Sequence, residues 1–185
     1  QSAISAAMAH VVSHGLYKSA LFLAAGVVVH HAGSRFYRDM AGVARELKLT
    51  LLSLLLSALS LIGAPPFAGY WSKDQVLSVL ALNMPLYALG LSSAALTAFY
   101  ATRMLLILLK ADHRSVETSA NRCDILQLVP FALSVSGLCL GLTKLTSAQG
   151  VEVWYLSAAP LASSAVGAAV AFLAGSVDAT RGLPQ

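Results

Sequence analysis

The stretch Ser60–Leu77, SLIGAPPFAGYWSKDQVL, breaks a long apolar run with two adjacent prolines and follows the break at once with Lys73 and Asp74. A proline has no amide hydrogen, and its ring presses on the carbonyl four residues back, so Pro65 and Pro66 free the carbonyls of Leu61 and Ile62. A regular helix cannot run through them, and Gly69 sits in the same weak stretch. In a bilayer, freed carbonyls are tolerated only where protein buries them or a hydrated cavity receives them, and broken helices of this kind recur at the ion sites of transporters. A lysine and an aspartate just past such a break mark a functional candidate. Read locally, the same letters also fit a loop between two separate spans, with both charges in water.

The remainder of the chain decides between these readings. Of its 185 residues 57% are hydrophobic and 11% charged, with a mean hydropathy of +0.73. Soluble domains carry roughly 25% charged residues, so this is an all-α integral membrane protein. The net charge of +4 does not indicate nucleic acid, because the basic residues sit in short loops between apolar runs. Cys123 and Cys139 lack the spacing of a disulfide or metal framework. The chain opens on Gln1 and runs almost directly into helical sequence, which suggests a processed product or a piece of a larger protein.

Five spans are expected: Ala3–Ala32, a discontinuous run from Leu49 to about Asn83, Pro85–Leu109, Ile125–Leu142, and Trp154–Val177, the last rich in small residues that allow close packing. If Leu49 to Leu82 crosses once, Arg35, Arg38, Arg45, Lys48, Lys110, Arg114, Arg122 and Arg181 share one face, and only Lys144 lies on the other. Two full crossings would scatter these basic residues over both faces, against the positive-inside rule. One broken span satisfies the rule and puts Lys73 at membrane depth.

The first helix carries His10, His14 and Lys18 at i, i+4 and i+8. Each four-residue step advances about 6 Å and rotates about 40°, so the three lie on one face and suit a proton path. The histidine pair also has zinc spacing, but Lys18 repels a cation and the motif has no internal glutamate or third ligand, so no metal is expected. Interhelical hydrogen bonding is the structural alternative for the histidines. It does not explain Lys18, whose place near mid-membrane costs at least about 2.5 kcal/mol. Lys73, held between desolvation and a neighbouring anion, suits loading and release of a proton. Asp74 is the adjacent anion, although successive helix positions point about 100° apart. Arg103 either snorkels to the interface or pairs with another helix. His30, His31 and His113 are expected at the interfaces, with Trp71, Trp154, Tyr155 and Tyr37 as anchors. The sequence has no GxGxxG after a strand, no P-loop and no CxxC array, so chemistry on this chain alone is ion or proton movement.

Four segments carry a family resemblance: AHVVSHGLYKSALFLAAGVVVH, DMAGV, GAPPFAGYWSKDQVL and, more weakly, TAFYATRMLL. Over residues 3 to 110 the chain resembles the C-terminal part of the chain 5 family of NADH-ubiquinone oxidoreductase, the antiporter-like subunits of respiratory complex I. The resemblance implies that His10, His14 and Lys18 are relay residues, that Lys73 is the terminal lysine of the broken helix, near the proton outlet, and that Asp74 is its companion carboxylate. It further implies residues 1–110 as part of the proton-translocation module and 111–185 as peripheral transmembrane helices. FMN, iron-sulfur clusters and ubiquinone would lie in other subunits, with no cofactor on this chain. The implied setting is the mitochondrial inner membrane, with a bacterial plasma membrane as the alternative, together with cardiolipin-type lipids, a neighbouring antiporter-like subunit, and basic loops on the matrix or cytoplasmic side. The chain lacks the family's first half, including a glutamate-bearing span and a broken helix with a paired lysine, so a companion polypeptide is expected to supply them. A multisubunit cation/proton antiporter shares the same motifs, and a non-pumping structural fragment is a third reading. Lysines kept at membrane depth argue against the third.

Overall fold

The computed structural model describes residues 2–36, 40, 43–109, 125–145 and 158–181. Tyr37, Arg38, Lys110, His113, Arg114, Arg122, Cys123, Trp154 and Tyr155 fall outside them. Helix α1, Ala3–Ala32, opens on Ser2, whose hydroxyl accepts the Ser5 amide at 3.3 Å, and closes on Gly33 in the left-handed region at φ 63°. A single turn, α2 (Val43–Glu46), leads into α3 (Lys48–Ile62) and α4 (Ala68–Leu80), the two halves of the broken span. Then come α5 (Met84–Leu109), α6 (Ile125–Leu145) and α7 (Ala158–Arg181). Asn83 starts α5 by accepting the Leu86 amide on its side-chain oxygen at 3.3 Å.

Four helices, α1, α5, α6 and α7, are long and apolar enough to cross a bilayer. Helix α3 has 15 residues and α4 has 13, which at 1.5 Å per residue gives about 22 and 20 Å, short of a hydrocarbon core of about 30 Å. Neither half spans alone. The expected architecture of about five spans, the second discontinuous, is the one found.

The break lies where the prolines place it, and a glycine cap completes it. Helix α3 ends at Ile62, before either proline. Gly63 takes φ 90°, its amide donates to the Ser60 carbonyl at 3.1 Å, and the Ala64 amide donates to that of Leu59 at 2.9 Å. That pair of bonds is a Schellman stop, which a glycine permits because it has no Cβ to strain in the left-handed region. Pro65 and Pro66 then keep the helix from resuming until Ala68. The carbonyls left over are those of Leu61 and Ile62, as the proline argument requires, but the glycine terminates the helix.

The broken span lies at the centre of the bundle, where α3 packs on α1, α5 and α6, and α4 packs on the same three helices. Helix α7 packs chiefly on α5. The apolar core is built on one face of α1, with Tyr17, Leu21, Ala24 and Val28 against Leu54, Ala58 and Leu61 of α3 and Ala101 and Leu108 of α5. Helix α3 also carries a polar edge. Thr50, Ser53, Ser57 and Ser60, three or four residues apart, are all buried. Thr50 Oγ1 donates to Gln127 Oε1 at 3.3 Å, and Ser57 shares a hydrogen bond of 2.8 Å with Ser134 of α6. The Ser134 hydroxyl also lies 3.2 Å from the Ser53 carbonyl and 2.7 Å from that of Pro130. Lipid supplies no hydrophobic drive between helices, so such hydroxyl contacts are the natural fastening of α3 to α6.

Candidate proton-transfer site

The two free carbonyls at the end of α3 are the foundation of the site. The Lys73 ammonium donates to the Leu61 carbonyl at 2.6 Å and reaches that of Ile62 at 3.4 Å. Charge-assisted bonds of this kind are about twice as strong as neutral ones, and the negative end of the α3 dipole adds about 0.3–1 kcal/mol or more. Ser164, on α7, donates to the same Ile62 carbonyl at 3.1 Å. Lys73 reaches the carbonyls because α4 starts close against α3. The Gly69 amide donates to Ser60 Oγ at 3.2 Å, and a Cβ on Gly69 would run into the Ser60 carbonyl.

From Lys73 the polar groups continue onto α1. Ser72 Oγ donates to the Gly69 carbonyl at 3.3 Å and lies 3.1 Å from His10 Nδ1. The His10 and His14 rings are 5.6 Å apart, centroid to centroid. His14 Nδ1 is 3.0 Å from the Tyr17 hydroxyl, and the two rings meet edge to face. His10, His14, Tyr17 and Lys73 line a half-open cavity of about 320 Å³, bordered on the α5 side by Gly90, Ser93, Ala94, Thr97 and Tyr100. At about 30 Å³ per molecule the space admits on the order of ten waters. Imidazoles, hydroxyls and water that each donate and accept can pass a proton along without moving far.

Lys18 is not among the cavity's lining residues. Its ammonium lies over the rings of Phe22 at 5.6 Å and Tyr100 at 5.7 Å, within cation–π range. Tyr100 is thus shared between Lys18 and the cavity. Of the stripe His10, His14 and Lys18 read from the sequence, the two histidines line the cavity and the lysine lies against the rings of Phe22 and Tyr100 instead. Asp74 is buried at 6% exposure and does not line the cavity. Arg103 is exposed on α5 and does not line it either. His30 and His31 stack edge to face at the end of α1.

Tyr17, Ser72, Tyr100 and Ser164 were not singled out in the sequence. Tyr17 stands three residues after His14, a spacing that puts both on one helix face, so it was within reach of the same argument. Ser72 adjoins Lys73. Ser164 is one serine among many small residues of α7 and carries no signal of its own.

Residues 1–99 match the family described as NADH:quinone oxidoreductase/Mrp antiporter, TM. The chain belongs to this transmembrane family. It is 38% identical over 119 residues to NAD(P)H-quinone oxidoreductase subunit 5, chloroplastic, of Cryptomeria japonica, covering 58% of this chain and 16% of the relative. It is 33% identical over 129 residues to NADH-quinone oxidoreductase subunit L of Campylobacter jejuni, covering 67% of this chain and 22% of that one. A similarity of 32% over 123 residues extends to NAD(P)H-quinone oxidoreductase chain 5 of a Picosynechococcus strain, covering 61% of this chain and 18% of the relative. The chain spans about a fifth of the length of these curated relatives, and the resemblance to chain 5 drawn from its motifs agrees with their names.

Proposed function

We propose that this chain is part of the antiporter-like membrane subunit of an NADH:quinone oxidoreductase and carries a segment of its proton path. The observation that supports it most directly is a membrane-depth lysine, Lys73, held by the two carbonyls a broken helix leaves free, and facing His10 and His14 across a cavity large enough for water. A cation that can exchange backbone carbonyls for a hydrated cavity has two places to be, and that is what a carrier of protons requires. In this reading His10 and His14 relay protons to Lys73. Lys18, beside Tyr100, delivers them, Asp74 is the companion carboxylate of Lys73, and Arg103 pairs between helices. FMN, iron-sulfur clusters and the quinone belong to other subunits, whose electron transfer drives the relay. The partners are the other membrane subunits, among them a neighbouring antiporter-like subunit and the polypeptide that carries the rest of this one, together with anionic lipids such as cardiolipin. The membrane is the mitochondrial inner membrane or another energy-transducing membrane, with the basic loops on the matrix or cytoplasmic side.

A second reading is favoured by the family's own description, which joins the oxidoreductase to Mrp antiporters. In that case the same path exchanges a monovalent cation for protons with no redox partner. Purification of the chain in mild detergent, with mass-spectrometric identification of what accompanies it, separates the two. Flavin and iron-sulfur proteins in a very large assembly support the oxidoreductase, whereas antiporter-type membrane subunits alone support the antiporter. Within the assembled complex, Lys18→Ala is expected to lower the number of protons moved per electron pair while native-gel mobility stays unchanged. An unaltered ratio removes Lys18 from the path.

A further inference from the structure

The end of α3 offers two carbonyls, and two side chains compete for one of them. Lys73 Nζ is 2.6 Å from the Leu61 carbonyl and 3.4 Å from that of Ile62. Ser164 Oγ, 6% exposed, is 3.1 Å from the Ile62 carbonyl. The hydroxyl therefore holds Ile62 more closely than the ammonium does, and the ammonium's one short bond goes to Leu61. Ser164 comes from α7, outside the residues matched by the family, and nothing in the proton path described above uses it.

We propose that Ser164 is a positioning residue for Lys73: by occupying the Ile62 carbonyl it leaves the lysine a single strong tie, to Leu61, and so lets it leave the break. The inference rests on the reading of Lys73 as a proton carrier. When the lysine turns toward His10 and His14, the Leu61 carbonyl loses its donor. Ile62 keeps Ser164. Without the hydroxyl, departure of the ammonium strands both carbonyls at the end of a helix dipole in a membrane interior, where an unmet acceptor is costly. The lysine then stays longer at the break. A carbonyl already engaged by a hydroxyl is also the weaker acceptor for an ammonium, so Ser164 sets how firmly the resting lysine is held. Its effect reaches protons only through Lys73, since a serine hydroxyl on α7 carries no charge of its own at any working pH.

The test is the isosteric pair Ser164→Thr and Ser164→Val in the assembled complex. Both are branched and nearly equal in volume, so α7 packs them alike, but only threonine retains the donor. Native gels check that both assemble, and proton translocation is read in sealed vesicles alongside Lys73→Ala. Threonine is expected to stay close to the parent, and valine to slow translocation by about three- to tenfold, the factor that one net hydrogen bond is worth. If valine and threonine fall together, Ser164 acts by packing and the proposal is overturned. It is overturned alone if valine matches threonine while Lys73→Ala is inactive. If Lys73→Ala translocates normally, the reading of the lysine as carrier fails, and the role of Ser164 fails with it.

Discussion

Lys73→Ala is expected to stop proton transfer through this path while leaving the bundle assembled. A positioned proton donor contributes on the order of 10² or more in rate, so transfer should fall by about two orders of magnitude. Assembly survives because two costs offset each other. Alanine leaves the Leu61 carbonyl, now bonded to Lys73 at 2.6 Å, without that donor, a loss of about 1–3 kcal/mol for a buried acceptor. It also removes a lysine from membrane depth, where insertion costs at least about 2.5 kcal/mol. Ile62 retains Ser164, so only one carbonyl is stranded. The ratio of protons to electrons in vesicles, with native-gel migration as the control, checks both halves of this expectation. Assembly with an unchanged ratio would take Lys73 out of the path.

Gly69→Val should have the opposite profile, losing assembly first. The Gly69 amide bonds Ser60 Oγ at 3.2 Å, and any Cβ there overlaps the Ser60 carbonyl and comes within 3.0 Å of its hydroxyl. Relief requires α4 to move off α3, which breaks the hydrogen bond from the Gly69 amide to Ser60 Oγ, worth about 1 kcal/mol, on top of about 1–3 kcal/mol for the overpacked side chain. The same movement draws Lys73 away from the Leu61 carbonyl, because both bonds cross the same narrow gap. The yield of assembled complex on native gels should drop, and what remains should translocate poorly. Normal yield from Gly69→Val would mean that the two half-helices do not cross this closely.

Much of this site could be read from residue order because proline, lysine and histidine have few ways to be comfortable in a bilayer. The unpaired carbonyls of Leu61 and Ile62, the single crossing of the broken span, and the shared face of His10 and His14 all followed from backbone chemistry and helical spacing. The glycine cap that ends α3 within this break is not legible in the letters, because Gly63 precedes the prolines by only two residues and a left-handed cap announces itself in dihedral angles. The serine edge of α3 was invisible for a different reason. A helix apolar on nearly every side has no face marked by hydropathy, so the burial of Ser53, Ser57 and Ser60 depends on which neighbour lies where. Lys18 illustrates the limit of spacing arguments. Its register with the histidines is regular, yet it does not line the cavity, and its ammonium lies over the ring of Tyr100, a residue of α5 that does.

The hydroxyl fastening of α3 to α6 has a mechanical consequence. Thr50 and Ser57 tie the two helices about two turns apart, to Gln127 and Ser134, so a slide of one pitch, about 5.4 Å, would rupture both ties at once. Helix α3 is thereby fixed in register against α6. The five residues from Gly63 to Phe67 lie between the two half-helices, and Lys73 stands about one and two-thirds helical turns beyond them. Lys73 already both meets the Leu61 carbonyl and lines the cavity, so the exchange proposed for it lies within a side chain's reach and needs no travel of a whole helix.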